Sequence, residues 1–258
     1  MRKFGLIGHP IEHSLSPALF KAAYGGRYPY ELIQEEDFQK AYGRFLEEYD
    51  GVNVTAPFKE LAFRQADIAA EECRIIGAAN ILLKTPGGVV AYNSDYRGVR
   101  KWLKEVAEEL HKEDIKVLVV GYGGAGKAAA AAGRSLQMDV TVVNRTAKEE
   151  DIKPLSYFGQ GFRESDIIIY TLPVPLKHID MLTKEDWMGG KEPKPKYILE
   201  ANYKDPCFSL SSERMMYSIH NDKIRFVEGR LWLLYQAVTG YEIFTERTPD
   251  LKEMIKVL

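Results

Sequence analysis

KVLVVGYGGAGKAAAAAGRSL, Lys116–Leu136, is the stretch on which the fold turns. KVLVV is a β-branched run suited to a strand covered on both faces, as in a parallel sheet. Gly121, Gly123 and Gly126 then fall in G-x-G-x-x-G spacing. The first permits a tight turn out of the strand, the second lets a backbone approach a pyrophosphate, and the third allows a helix to pack against the strand. An alanine-rich helix follows, with the positive end of its dipole toward any bound phosphate. VTVV, Val140–Val143, completes a βαβ unit. The pattern predicts a doubly wound dinucleotide-binding domain; a methyl-donor nucleotide is a rival ligand for the same loop.

After that second strand comes Asn144-Arg145-Thr146, where a typical NAD binder places an acidic side chain for the ribose 2′-hydroxyl. A guanidinium pairs with a 2′-phosphate where a carboxylate would repel it, so NADP is the expected cofactor, with NAD as the alternative. Arg145 also reads as a solvated loop charge.

Working outward, the N-terminal part alternates apolar runs with helix-like stretches: Phe4 to Ile7, Pro17 to Tyr24, Tyr30 to Ile33, a helix within Glu36 to Glu48, and Val52 to Val54. Helical sequence is expected over Phe58 to Cys73. Strands follow at Ile81 to Lys84 and Val89 to Tyr92 around the hairpin signal Gly87-Gly88. Val99, Trp102, Leu103, Val106 and Leu110 recur at helical spacing over Arg97 to Leu110. Beyond the glycine unit, strands are expected at Asp166 to Tyr170, Tyr197 to Leu199 and Ile224 to Val227. From Gly229 onward Leu231, Leu234, Tyr235 and Val238 form one helical stripe, continued after Pro249 by Met254, Ile255 and Leu258.

Composition sets bounds. The chain has 258 residues, 45% hydrophobic and 28% charged, and a formal charge of −2, the balance of a globular enzyme in two modest domains. A dedicated nucleic-acid binder would carry a concentrated basic surface. The 2 cysteines, Cys73 and Cys207, have no metal-binding spacing, and neither do the 5 histidines, so no metal is assigned. No apolar run is long enough to span a bilayer, and the start MRKFGLIGHP breaks before a signal-peptide core forms. A cytoplasmic location without membrane partners is expected.

Polar residues cluster at strand ends. GHPIEHSLSP, Gly8–Pro17, puts Ser16 before a proline as a helix cap and leaves Ser14 in the loop at the C-terminal end of a strand, where α/β proteins bind ligands. GVNVTAPFK, Gly51–Lys59, ends a strand in Asn53 and Thr55 ahead of Lys59; NSD, Asn93–Asp95, ends another. Alone, Lys59 reads as a surface lysine and Thr55 and Asp95 as helix caps. Together they read as a Lys–Asp pair lining a cleft between domains that closes about a hinge, an acid/base for proton transfer to a hydroxyl during hydride transfer. Which of the pair holds the proton stays open.

GHPIEHSLSP, GVNVTAPFK, GAAN at Gly77–Asn80, NSD, GYGGAGKA, NRT and the late Gln236 stand in the order and approximate spacing of one family, and the chain resembles the shikimate dehydrogenases. The resemblance implies a substrate domain of residues 1–96 and 229–258, with an inserted Rossmann NADP-binding domain of residues 97–228. It implies that Ser14 and Ser16 bind the substrate carboxylate with Tyr203 nearby, and that Thr55, Asn80, Asp95 and Gln236 bind ring hydroxyls. Lys59 and Asp95 become the catalytic pair. Gly121, Tyr122, Gly123, Gly124, Ala125, Asn144, Arg145 and Thr146 would hold the cofactor, with Gly229 near the nicotinamide and Glu71 a further candidate. The implied reaction is reversible reduction of 3-dehydroshikimate to shikimate with NADPH, by a monomer or homodimer. A quinate/shikimate paralogue using NAD, a nucleotide-sensing regulator without catalysis, and a methyltransferase are the other readings. Family departures fall at Ile81, at Lys148 and Glu149 after NRT, at Tyr170-Thr171-Leu172 before Pro173-Val174-Pro175, at Glu200 and at Trp232.

Overall fold

The computed structural model describes residues 1–146, 151–189, 193–203, 206–208 and 223–258. Contacts group the chain into two units, Met1–Gly98 with Leu234–Leu258, and Val99–Leu233. Both divisions run through long helices.

In the first unit the strands β1 (Phe4–Gly8), β2 (Tyr30–Gln34), β3 (Gly51–Val54), β4 (Ile68–Ala69), β5 (Ile81–Thr85) and β6 (Gly88–Tyr92) form one sheet in the order β2-β1-β3-β5-β6-β4. β1 lies parallel to β2 and β3, whereas β5 runs antiparallel to β3 and β6. The helices of this unit are α1 (Ser16–Tyr24), α2 (Phe38–Glu48), α3 (Lys59–Gln65), α4 (Glu71–Ile76) and the start of α5 (Ser94–Leu110). Asp37 opens α2 by accepting from the N–H groups of Gln39 and Lys40 at 2.7 and 3.3 Å. The strand order has one positional consequence. The C-terminal ends of β1, β3 and β6 and the N-terminal end of β5 come to the same edge of the sheet, bringing GHPIEHSLSP, TAPFK, Asn80 and NSD together.

Sequence reasoning misplaced three features here. Phe58 to Cys73 is not one helical stretch: after α3, Ile68 and Ala69 pair with Val90 and Ala91 as an edge strand, and Asp67 exchanges hydrogen bonds with Val89. Sheet pairing outcompetes the helix propensity of that alanine-rich segment. α5 begins at Ser94 rather than Arg97, because Asn93 Oδ1 accepts the Tyr96 N–H at 3.0 Å and supplies the cap that Asp95 was a candidate for. In the late helix the buried apolar side chains are Trp232, Leu234, Ala237, Tyr241 and Phe244; of the expected stripe, Leu231, Tyr235 and Val238 are half-buried, and beyond Pro249 Met254 is buried while Ile255 is exposed. Phe244 stacks on Phe4 at 5.0 Å, and Tyr241 meets the Phe20 ring edge-on at 4.7 Å. That packing holds the chain's C-terminal part against β1.

The second unit contains β7 (Lys116–Val120), α6 (Gly124–Ser135), β8 (Asp139–Asn144), β9 (Ile152–Pro154), α7 (Phe158–Glu164), β10 (Ile167–Tyr170), α8 (Lys177–Asp180), α9 (Lys184–Met188), β11 (Lys196–Glu200) and β12 (Ile224–Val227). α10 (Gly229–Thr245) starts there and ends in the first unit, where α11 (Leu251–Ile255) follows it. All strand pairs are parallel, in the order β12-β11-β10-β7-β8-β9. Numbered within the unit this is 6-5-4-1-2-3, the Rossmann order, whose switch point lies between β7 and β10. Val117–Val120 are fully buried, as a strand covered on both faces requires. Ala128, Ala129, Ala130 and Ala132 bring α6 close to the sheet, and a side chain on Gly133 would meet Val140 at 2.8 Å. Among the described residues no helix is long and apolar enough to cross a membrane.

Candidate functional site

At the Rossmann switch point the glycines divide their work as the sequence predicted. Gly121 has φ +97, and Gly126 packs so tightly on the turn that an added Cβ would lie 2.1 Å from the Gly121 carbonyl oxygen. Gly123, by contrast, has open space where its side chain would be. It is the N-cap of α6, no side chain caps that end, and the first turn carries no acid. The unoccupied N–H groups of a helix start, reached through a residue with no side chain, form a surface that fits a pyrophosphate. Tyr122, Gly124 and Ala125 complete the turn.

Thr171, just past β10, donates from Oγ1 to the Val120 carbonyl at 2.9 Å and abuts both Gly121 and Gly126. Tyr170, where the family pattern has asparagine, is fully buried and donates its hydroxyl to the Val174 carbonyl at 2.7 Å, so it braces the Pro173-Val174-Pro175 turn. At the end of β8, Asn144 donates to the Thr146 carbonyl at 3.2 Å, and Arg145 is exposed with no ion pair to a described residue, free to take an anion. Lys148 and Glu149 lie outside the described residues. Gly229 backs onto the chain at Asn202–Tyr203, where a Cβ would come within 2.6 Å of the Asn202 carbonyl carbon. Gly229 and Tyr203 are therefore neighbours, which sequence separation hides.

In the first unit, Lys59 Nζ stands 2.7 Å from Asp95 Oδ2; the lysine side chain is 19% exposed and the aspartate 6%. Lys59 opens α3 just beyond β3, and Asp95 sits in the first turn of α5 just beyond β6. Thr55, half-buried, directs its N–H to the Ile7 carbonyl at 2.9 Å and makes no side-chain cap for α3. The N–H of His9 reaches the Ala56 carbonyl at 3.3 Å, so the loops after β1 and β3 are clasped together.

The serine pair behaves differently from expectation. The N-cap of α1 is Leu15, Ser16 lies inside the helix, and its side chain caps nothing. It is Ser14 whose Oγ accepts the Ser16 N–H at 3.2 Å, while donating to Ser16 Oγ at 3.1 Å. The two hydroxyls are coupled, and Ser14 does the local backbone work assigned to Ser16 from the sequence. The Ser16 carbonyl accepts from the Tyr241 hydroxyl at 3.1 Å, and the Tyr30 hydroxyl donates to Asn53 Oδ1 at 2.8 Å. Burial pushes both phenols well above the ordinary tyrosine range, so they are permanent hydroxyl donors.

Asn80, 3% exposed, is held between β5 and the start of α5: its Oδ1 accepts the Ser94 N–H at 2.7 Å and its Nδ2 donates to Ser94 Oγ at 3.0 Å. Ser94 Oγ in turn lies 3.2 Å from Gln236 Oε1 on α10. Glu71 is exposed in the first turn of α4. Beside it, Glu72 is buried and paired with Arg97 at 2.8 Å. Among the described residues no group of His, Cys, Asp and Glu could hold a metal ion.

The chain matches known proteins along its whole length. Residues 6–82 match the shikimate dehydrogenase substrate binding domain, and residues 80–188 match the NAD binding domain of the D-isomer specific 2-hydroxyacid dehydrogenases. The shikimate dehydrogenase (NADP(+)) of Pyrococcus abyssi is 30% identical over 266 residues, covering 100% of this chain and 97% of its own. The chain belongs to the shikimate dehydrogenase family. Another member, the shikimate dehydrogenase (NADP(+)) of Ignicoccus hospitalis, is 34% identical over 248 residues, with 89% and 92% coverage. The crystal structure of shikimate 5-dehydrogenase from Thermus thermophilus in complex with NADP(H) and shikimate superposes with a TM-score of 0.78 at 26% identity, covering 100% of this chain and 98% of that one.

Sequence reasoning noted Asn53 at its strand end without giving it a role, and passed over Ser94, Tyr30 and Tyr241. For Ser94 a signal was available: NSD supplies three polar residues in a row at a strand end, and only the aspartate was given work. Tyr30 and Tyr241 carried no signal, since their rings fit the apolar pattern and only the fold brings their hydroxyls to polar partners.

Proposed function

We propose that this member of the family catalyses the reversible NADPH-dependent reduction of 3-dehydroshikimate to shikimate, a step of aromatic amino-acid biosynthesis, in the cytoplasm and as a monomer or homodimer. The observation that carries this reading is the Lys59–Asp95 pair at 2.7 Å, its carboxylate buried and its ammonium partly exposed, at the sheet edge of the first unit that also holds Thr55 and Asn80. Gly121–Ala125 would hold NADPH, with Arg145 at its 2′-phosphate, and the bound cofactor would be the hydride source for reduction of the C3 carbonyl.

The chain's own residues do the rest. Ser14 and Ser16 present coupled hydroxyls to the substrate carboxylate; Tyr203 is the further residue proposed for that group. Thr55, Asn80, Asp95 and Gln236 take the ring hydroxyls and fix the ring's orientation, which removes an entropic part of the barrier. Lys59 donates a proton from Nζ to the C3 oxygen as negative charge develops there. Asp95 orients the ammonium, and the pair favours the developing alkoxide. In the oxidative direction Lys59 takes that proton back.

The test is an initial-rate assay of the purified protein with shikimate and with quinate, each against NADP+ and NAD+. Shikimate with NADP+ is expected to give the highest kcat/KM. Failure to turn over shikimate with either nucleotide overturns the proposal, and S-adenosylmethionine binding without NADPH binding would replace it with a methyl-transfer reading.

A further inference from the structure

Ser94 is fully buried, so it cannot touch a substrate, yet it contacts two side chains proposed to bind one. Its hydrogen bonds fix more than position. A backbone N–H can only donate, so the Ser94 N–H at 2.7 Å identifies the facing atom of Asn80 as its carbonyl oxygen. The Asn80 amide group must then be the one 3.0 Å from Ser94 Oγ, which accepts from it.

The hydroxyl has one proton left to place. Asn80 Oδ1 lies 3.3 Å away, but it sits beside the nitrogen already donating to that oxygen. The two ends of one amide are too close together to occupy both a lone-pair direction and the proton direction of one hydroxyl. Gln236 Oε1 lies at 3.2 Å in a different direction, on another helix. The proton goes there, and the Gln236 amide turns its NH2 away from Ser94.

We propose that Ser94 sets the hydrogen-bond polarity of the substrate site, making Gln236 a donor that recognises a lone pair on a substrate hydroxyl oxygen. This rests on the reading of Gln236 as a substrate ligand. The device propagates from the backbone: β5 and α5 hold Asn80 against the Ser94 N–H, and each later group has only one orientation left. A Cβ added at Gly240 would lie 3.3 Å from Ser94 Oγ and 3.0 Å from Ile81 Cδ1, so the glycine lets α10 pack closely against Ser94.

The experiment compares Ser94→Ala, Ser94→Thr and Gln236→Glu with the wild type by steady-state kinetics and thermal unfolding. Ser94→Ala frees Gln236 to turn, and the KM for shikimate is expected to rise about tenfold with kcat within about twofold and KM for NADP+ unchanged. Ser94→Thr keeps the hydroxyl and restores KM to within about twofold of wild type. Gln236→Glu still accepts from Ser94 but presents an oxygen where the amide nitrogen was, so KM for shikimate rises by about tenfold or more. A KM for shikimate unmoved in Gln236→Glu overturns the polarity assignment, even if Ser94→Ala fails to fold. A lower melting temperature for Ser94→Ala with KM intact reduces Ser94 to a structural role. If the wild type does not turn over shikimate, the functional reading itself fails; if it does and these variants match it, only the polarity assignment fails.

Discussion

Lys59 and Asp95 are far apart in sequence, yet their charged atoms are 2.7 Å apart with the carboxylate almost wholly removed from water. Removing one partner of such a pair leaves the other charge uncompensated, so substitutions here act on both chemistry and electrostatics. For Lys59→Ala we expect kcat to fall by a factor of about 10²–10⁴, the usual contribution of a positioned acid/base, with shikimate still binding by calorimetry. Unchanged turnover would remove Lys59 from the reaction. At this scale the sequence named both residues but also offered each a plainer role, a surface lysine and a helix cap. The distance shows that the two side chains pair, and Asn93 proves to be the residue that caps α5.

Among the elements, the β7–α6 turn is the one whose function follows most directly from local geometry. Gly126 and Gly123 belong to the same motif and yet should respond differently to alanine. At Gly126 the new methyl meets the Gly121 carbonyl oxygen at 2.1 Å, so Gly126→Ala is expected to destabilise the fold by about 1–3 kcal/mol or more and to weaken NADPH binding as the turn shifts. At Gly123 the methyl enters open space, so Gly123→Ala should keep its melting temperature and lose NADPH affinity. Fluorescence titration with NADPH beside thermal unfolding separates the two; equal losses of stability would contradict the geometry. By comparison, the β4 segment shows how an element can be misread. Its residues favour a helix, and only the free edge of β6 draws them into the sheet.

On the scale of the whole molecule, each unit has its own sheet and its own buried core, and the second carries an ionisable group deep inside. Lys196, 1% exposed, donates from Nζ to the carbonyls of Phe162 and Ser165, both at 2.6 Å, where α7 ends. Burial pulls its ammonium down to about 8 from the ordinary lysine value of 10.5, against the weaker attraction of Asp166. The unfolded chain thus holds this proton over a range where the folded one has released it. Stability contributed at this site rises with pH between about 8 and 10.5, by an amount on the order of 3 kcal/mol. Lys196→Met should lack that rise. Urea unfolding of wild type and variant across the window tests it: a stability difference that does not change with pH would show that the lysine is not titrating there.

The amino-acid sequence by itself determined the Rossmann unit, because strand burial, glycine spacing and helix start are imposed by neighbours along the chain. It also marked Ser14, Thr55, Lys59 and Asp95, since polar residues at strand ends are conspicuous against apolar runs, and the family resemblance added Asn80. Tertiary structure alone decided which of them meet. The order β2-β1-β3-β5-β6-β4 brings Thr55, Asn80 and Asn93–Asp95 to one edge, and close packing at Gly240 lets Gln236 reach Ser94. Pairing of strands and the direction of a hydrogen bond depend on groups distant in sequence, and no local pattern encodes them.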